Sequence, residues 1–376
     1  MGEIIIKEVL TRKDLRDFIY LPAKVHNKEP DWLPPIYLDE WGLYDKNKNS
    51  AYKYADAILY LACRGKKPVG RIMAIINNRY NSIKKEKHGR FCFMECFEDR
   101  EVVHALLSVV EKWAKEYGMT KIVGPLGFSD KDPQGFQIEG FDYPQFITTP
   151  TNSAYLPRMM EWEGYIKEVD LVNYIIKMPK ELPLIYSKVY ERIVKTDEFR
   201  VIEFRSKKEI KPYIVPVLEL MNETFSDIYG FVPLNEKEKK DLAKRYLPLL
   251  DPELIKVVAS KEEFIGFVIG MPDISNGIKA ANGKFFPFGI FKILKEMKKS
   301  KKLMLLLGGI KKDYRGLGID VLMAVKMYES AVKKKMETIN SHLILESNIR
   351  MRSECERLDG QIVKRFRIYQ KSLQEK

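Results

Sequence analysis

The run LMLLLGGIKKDYRGLGIDVLMAVKMYESAVKKK, residues 303–335, constrains the fold more than any other stretch of the chain. Its opening is a continuous apolar segment, which predicts a buried strand over 303–310. Its second half carries apolar residues at helical spacing, which predicts an amphipathic helix over 321–335. The basic loop between them holds Gly316 and Gly318. Glycines let successive backbone N–H groups converge, and the N-terminus of the following helix adds partial positive charge. Such a loop can cradle a pyrophosphate. A short glycine motif can equally be an ordinary turn, so its meaning rests on the elements around it.

Those elements follow one plan twice. In the first half, helix 12–25 and a Trp-Leu-Pro-Pro turn at 32–35 precede a hairpin of strands 55–63 and 68–77. Strand 91–97 then leads into a helix over 99–117, whose apolar positions Val102, Val103, Leu106, Leu107, Val110 and Trp113 share one face, with Gly118 as its C-cap. Strand 121–128, helix 152–162 and strand 169–178 close the half. The second half reads strand 200–204, helices 208–225 and 236–249, hairpin 254–259 with 264–271, strand 303–310, helix 321–335, strand 342–347, helix 349–358 and strand 362–369. Each half ends helix, glycine, strand, with a tyrosine about ten residues on: Gly164 with Tyr174, and Gly360 with Tyr369. The 376 residues also suit two domains at roughly 150 residues each. The expectation is an α/β (α+β) chain of two tandem domains, residues 1–178 and 198–376, joined by a charged linker over 179–197. Each would have a mixed, mainly antiparallel central sheet flanked by helices.

Composition narrows the partners. Lys and Arg number 65 against 52 Asp and Glu, a net charge of +13 that favours an anionic partner: a phosphorylated cofactor, an acidic carrier protein, a lipid surface or nucleic acid. No nucleic-acid module is recognisable, which puts that partner last. Four cysteines and four histidines, with no CxxC or HxxxH spacing, give no reason to expect a metal. No apolar run approaches the ~18 residues of a membrane span, and residues 1–9 are too short and acidic for a signal peptide. The expected location is the cytoplasm, with a peripheral place at the inner membrane surface as a further option.

Arg315-Gly316-Leu317-Gly318-Ile319-Asp320 resembles the (Arg/Gln)-x-x-Gly-x-(Gly/Ala) acyl-CoA-binding motif of the GNAT (Gcn5-related N-acetyltransferase) superfamily, and lies, like it, between a strand and a helix. HLILESNIRMRSECERLDG, residues 342–360, resembles the fifth strand and fourth helix of that superfamily. There Asn348 takes the family's Asn position, Glu356-Arg357-Leu358 matches its Glu-Lys-Leu, and its frequent tyrosine falls on Cys355. The whole chain resembles a bacterial family of tandem GNAT-like proteins, mostly uncharacterised N-acyltransferases. Trp32-Leu33-Pro34-Pro35, Gly70-Arg71-Ile72, Glu95-Cys96-Phe97, Gly124-Pro125 and Glu139-Gly140-Phe141-Asp142 carry that likeness. The resemblance implies that the backbone of Arg315, Gly316, Leu317, Gly318, Ile319 and Asp320 holds the pyrophosphate of acetyl-CoA or a longer acyl-CoA, with Asn348 beside it. It implies an N-acyltransferase that moves an acyl group from acyl-CoA, or from acyl carrier protein, to an amine acceptor, conceivably lipid-like. The alternative is a non-catalytic ligand-binding or scaffold protein that kept the fold. Asp320, where the motif has Gly or Ala, and Cys355 both favour it.

An amine must be neutral to attack a thioester, so a base is needed. Strand 303–307 offers no acid, which leaves Glu346 at the end of the next strand; Tyr369 on the last strand is the candidate acid or orienting group. In the first half Glu98-Asp99-Arg100-Glu101 stands where a cofactor loop would be, so that half is expected not to bind the cofactor. The excursion over 124–142 brings Ser129, Asp130, Glu139 and Asp142 to a substrate entrance or to a packing loop. An insertion over 282–302 places Phe285, Phe286, Phe288 and Phe291 ahead of six lysines. It would face an anionic lipid surface, an acyl chain or an acidic carrier, or else bury its aromatics in the core.

Overall fold

A computed structural model describes residues 2–261 and 263–374, apart from the side chain of Arg245. From the N-terminus the chain forms β1 (Ile4–Glu8), α1 (Arg12–Val25), α2 (Tyr37–Leu43), β2 (Ala55–Arg64), β3 (Lys67–Asn77), α3 (Asn78–Lys84), β4 (His88–Cys96), α4 (Arg100–Glu116), β5 (Lys121–Gly124), β6 (Phe136–Glu139), α5 (Tyr155–Trp162) and β7 (Ile166–Lys177). It continues through α6 (Leu184–Val194), β8 (Phe199–Glu203), α7 (Lys207–Ile210), α8 (Ile214–Thr224), α9 (Glu236–Tyr246), β9 (Ile255–Ser260), β10 (Glu263–Pro272), α10 (Ser275–Ala280) and α11 (Gly289–Lys299). The last elements are β11 (Lys302–Ile310), α12 (Ile319–Lys333), β12 (Thr338–Asn340), β13 (Ile344–Leu345), α13 (Ile349–Arg357) and β14 (Gln361–Ser372). Most follow the sequence pattern.

Shorter elements such as α2, α3, β6 and α10 were not expected, and three further differences have local reasons. Strand β1 was not expected and exists by pairing antiparallel along β2, from Ile4 opposite Arg64 to Glu8 opposite Tyr60. The helix expected over 208–225 is interrupted by a 3₁₀ turn at Lys211–Tyr213, where Pro212 removes a helical donor. The strand expected over 342–347 is reduced to β13 (Ile344–Leu345), which pairs with β7, while the longer contact with β11 is made earlier, at β12, whose partners are Lys302–Met304.

The chain divides into two compact units that are not contiguous in sequence. Unit 1 comprises Met1–Val172, Ser275–Lys295 and Val363–Lys376; unit 2 comprises Asn173–Ile274 and Glu296–Ile362. In unit 1 the strands run β1-β2-β3-β4-β5-β14, all antiparallel neighbours except the parallel pair β4–β5, and β6 adds to β14. In unit 2 they run β8-β9-β10-β11-β12 and then the end of β7, again antiparallel except for β11–β12. Each is a mixed, mainly antiparallel sheet flanked by helices. Alternating side chains feed two cores per sheet. On β2, Tyr60 and Ala62 meet α4 through Val102, Leu106 and Val110, while Leu59 and Leu61 meet α1 through Phe18 and Ile19. In unit 2, Val257 and Phe267 pack under α8, and Val258 and Ile265 under α12 and α6.

Candidate functional site

Both units part their central strands in the same way. In unit 2, β11 and β12 are matched only at Lys302–Thr338, Leu303–Ile339 and Met304–Asn340; β12 then stops while β11 runs on to Ile310. Just past that point β11 carries a bulge, since Ile269 faces Leu307 and Gly270 faces Leu305, leaving Leu306 without a partner on β10. In unit 1, β4 and β5 are matched only at His88–Lys121, Gly89–Ile122 and Arg90–Val123. The bulge follows at Phe93, whose φ is +51°, with Arg71 opposite Glu95 and Met73 opposite Cys92. A bulge bends its strand, and with the parallel partner matched for only three residues each unit opens a wedge beside the helix that follows.

The two wedges differ at that helix. The first turn of α4 is closed by Asp99, whose carboxylate accepts from the backbone N–H of Glu101 at 3.1 Å and of Val102 at 3.4 Å. The amides an anion would need in unit 1 therefore already hold one. The start of α12 has no side-chain cap: its N-cap is Gly318, with φ +86°. Gly316 has φ +81°, and a Cβ there would meet nothing within 4 Å. Gly318 is enclosed instead, since a Cβ would lie 2.3 Å from Ile193 Cδ1 on α6. Lys311 pairs with Glu263 and Glu223, and Lys312 with Asp227, while the Arg315 Nε donates to the Ile310 carbonyl at 3.0 Å and folds the loop back on β11. The guanidinium of Arg315 is exposed, as are Gly316 and Leu317; Ile319 is buried under α6. Asp320 lies in the first turn of α12. An uncapped turn behind an open glycine suits a diphosphate.

The remaining sequence candidates fall in different places. Asn348 is the N-cap of α13, its side chain accepting from Met351 N–H at 3.2 Å, and it is exposed. Glu346 is half-buried in unit 2, and its carbonyl accepts from the Arg352 guanidinium at 3.0 Å. Cys355 is buried and its thiol is pushed up to about 12 by burial, reinforced by Glu354 and Glu356, which leaves a packing residue. Tyr369 belongs to unit 1, where it faces Gly124 of β5 with its hydroxyl buried and without a hydrogen-bond partner among the described residues. Ser129, Asp130, Glu139 and Asp142 are also in unit 1.

Unit 2 has its own tyrosine, which the sequence reading did not select. Tyr174, at the end of β7 beside β12, donates to Glu356 at 2.6 Å and accepts from Arg352 Nε at 3.1 Å. Burial, then the hydrogen bond to Glu356, raises its pKa, so the phenol keeps its proton. A phenol absent from α13 at Cys355 thus reaches that helix from β7. Asn173 and Asn340, both buried, bond to each other at 2.8 Å where β12 ends, leaving Asn173 Oδ1 and Asn340 Nδ2 without partners among the described residues. An unpaired buried acceptor and donor at a parting of strands are costly unless something supplies the missing bonds. The signal that could have found Tyr174 was present, in the parallel between the two helix-glycine-strand endings.

In the insertion, Phe286, Phe288 and Phe291 are 76%, 70% and 66% exposed, so these rings are not core residues. Among the described residues there is no group of three metal-binding side chains and no helix long and apolar enough to cross a membrane.

Comparison with known proteins agrees with this architecture. The sequence matches no established family profile. It is 27% identical over 381 residues to the bacterial ceramide synthase of Caulobacter vibrioides, covering 99% of this chain and 98% of that one. It is 25% identical to the protein YghO of Escherichia coli, covering 98% and 95%. Among solved structures, a tandem GNAT protein from the clavulanic acid biosynthesis pathway superposes over 100% of both chains with a TM-score of 0.57 at 11% identity. A GCN5-related N-acetyltransferase from Sphaerobacter thermophilus covers 99% of this chain and 96% of its own at 0.55 and 14%. The fold is that of tandem GNAT proteins, and the resemblance read from the sequence holds along the whole chain.

Proposed function

We propose that this protein is an N-acyltransferase that moves an acyl group from acyl-CoA, or from the same thioester on an acyl carrier protein, to an amine. The observation that carries this reading is the uncapped first turn of α12 behind the open Gly316, placed beside the wedge between β11 and β12. Backbone N–H groups over residues 315–320 would hold the pyrophosphate, with the Arg315 side chain adding charge at the loop. The resemblance puts Asn348 beside the cofactor, and its place at the start of α13 allows a contact from that side. Bound there, the thioester supplies an activated carbonyl, and the chain's residues manage protons around it. Glu346 is the carboxylate we assign to drawing the amine proton, and Tyr174 the phenol that returns one to the departing thiolate, taking in unit 2 the role the sequence gave to Tyr369. The relative named a ceramide synthase favours a lipid-like amine as acceptor.

The direct test is thiol release from acetyl-CoA and from a long-chain acyl-CoA across a panel of amines. Release that depends on both partners is expected, with the long-chain donor preferred. Binding of acyl-CoA without release would return the chain to the scaffold reading.

A lipid-like substrate needs a surface. Phe286, Phe288 and Phe291 stand exposed beside Lys292 and Lys295, an arrangement that suits an anionic bilayer at the inner membrane face. Vesicles containing phosphatidylglycerol should co-sediment the protein, while phosphatidylcholine vesicles should not. Replacing the three phenylalanines by alanine should weaken sedimentation by about tenfold or more, given roughly 1.5–3 kcal/mol per fully buried aromatic ring. Unchanged sedimentation would remove these phenylalanines from the membrane contact and leave the acidic carrier protein as the partner for this face.

A further inference from the structure

The two buried asparagines of unit 2 lack two hydrogen bonds that neither the cofactor loop nor Tyr174 supplies. Asn173 is 0% exposed and Asn340 2%. Their amides are held in one orientation. The Asn173 Nδ2 donates both to Asn340 Oδ1, at 2.8 Å, and to the Ser341 carbonyl. Turning the Asn173 amide over would set its oxygen against that carbonyl, so the nitrogen stays where it is. Ser341 is in turn fixed to β7, its N–H donating to the Tyr174 carbonyl at 2.9 Å and its Oγ accepting from the Tyr174 N–H at 2.8 Å. What remains is one acceptor, Asn173 Oδ1, and one donor, Asn340 Nδ2, without partners among the described residues.

Strand register places this pair on one face of the sheet. Asn340 is the last residue of β12, opposite Ile175 of β7 on one side and Met304 of β11 on the other. Cross-strand partners share a face, as do residues two apart on one strand, so Asn173, Ile175, Asn340 and Met304 point the same way. Met304 is opposite Met271, which shares the face of β10 that packs Phe267 and Ile269 under α8. The pair therefore lies on the α8 face. Tyr174, next to Asn173 on β7, points to the other face, where its hydroxyl meets α13. That other face is also the one α12 covers, since a Cβ on Gly266 would meet Ile319 and Met323. Past Met304, β11 has no β12 beside it and residues 305–307 are only half-buried. The two asparagines thus stand at the narrow end of the wedge.

A neutral donor next to a neutral acceptor is selective. A phosphate or carboxylate accepts without donating and an ammonium donates without accepting, so any of these ions leaves one asparagine buried and unpaired. A trans secondary amide carries its N–H and C=O on opposite sides and reaches only one of two adjacent groups. A hydroxyl group serves both through one oxygen. We infer that Asn173 and Asn340 bind a hydroxyl group of a substrate, which donates to Asn173 Oδ1 and accepts from Asn340 Nδ2. The inference rests on the acyltransferase reading for what carries the hydroxyl, which is either the acyl chain of the donor or the amine acceptor. An analogue without the hydroxyl strands both asparagines, and that loss is what makes the pair a specificity device.

The experiment titrates the full-length protein by calorimetry with two matched pairs of compounds, never donor and acceptor together, so no turnover is needed. The donor pair is β-hydroxyhexanoyl-CoA and hexanoyl-CoA. The acceptor pair is norleucinol and the same amine without its hydroxyl, each with and without coenzyme A. In one pair the hydroxylated member should bind about tenfold tighter or more, as two hydrogen bonds to buried neutral groups would give, and that pair names the source of the hydroxyl. Asn340→Leu keeps the side-chain volume and the bond from Asn173 to Ser341, and should bind both members of that pair alike. The wild-type comparison stands without it if the variant does not fold. Equal affinities within both pairs, no binding of either hydroxylated compound, or a preference that survives in Asn340→Leu would overturn the inference and leave the asparagines to a trapped water as a pin between β7 and β12. Thiol release with both substrates present is read separately: a hydroxyl preference without release keeps this site and removes the transferase, and release without a preference does the reverse.

Discussion

Gly316→Asp should abolish acyl-CoA binding, while Gly316→Asn should leave most of it. The two side chains have nearly the same shape, and both are among the non-glycine residues that tolerate a left-handed backbone such as φ +81°. A Cβ at this position meets nothing within 4 Å, so neither variant introduces a clash. What separates them is one negative charge at the place proposed for a pyrophosphate. Two unit charges about 4 Å apart repel by about 4 kcal/mol at an effective dielectric near 20, close to three orders of magnitude in affinity. The asparagine variant loses only the strain difference, about 1 kcal/mol. Thermal shift with a long-chain acyl-CoA reads both, and equal shifts in the two variants would remove the pyrophosphate from this loop. Gly318 is a poorer probe, because a side chain there meets Ile193 and Val189 of α6 and would destabilise the protein whatever the loop binds.

Ending the chain at Gly360 should unfold unit 1, although almost all of unit 1 precedes that residue. Strand β14 lies along β5, with Tyr369 opposite Gly124 and Ser372 opposite Lys121. It delivers Phe366, Ile368 and Tyr369, all at 0% exposure, to the core. Losing three such side chains costs about 6–9 kcal/mol at roughly 2–3 kcal/mol each. Arg367 would also leave Asp170, a buried carboxylate it holds at 2.8 Å and 3.0 Å, with Lys167 at 2.9 Å as its remaining cation, which adds about 1.5–3 kcal/mol for the lost charged hydrogen bonds. The total reaches the whole stability of an ordinary domain, about 5–15 kcal/mol. All four tryptophans, Trp32, Trp41, Trp113 and Trp162, lie in unit 1, so their fluorescence follows this unit alone. A truncated chain that kept the native emission and melting profile would show that β14 is dispensable.

The parts of the site that are local in sequence were legible before any coordinates. The strand, loop and helix over 303–335 needed only apolar spacing and two glycines, and Asp99 at the head of α4 was visible as an acid in the wrong place for a phosphate. Pairing across long separations was not legible. Gly164 with Tyr174 and Gly360 with Tyr369 look alike, and periodicity offers no reason to prefer one partner strand over another. The contact between the buried His26 and Glu95 was equally hidden, because the two lie 69 positions apart.

By itself, the sequence determined most of the longer strands and helices, that the plan occurs twice, and where an anion-binding loop can form, since each depends on neighbours within a few turns of the chain. Tertiary structure alone decided which strand completes which sheet, and with it which tyrosine serves which unit. Tyr369 went with β14 to Gly124, and Tyr174 stayed at the end of β7 beside β12. The physical reason is that a strand's backbone groups and apolar face can be satisfied by any edge of matching register, and only the competition among all edges in the folded chain selects one.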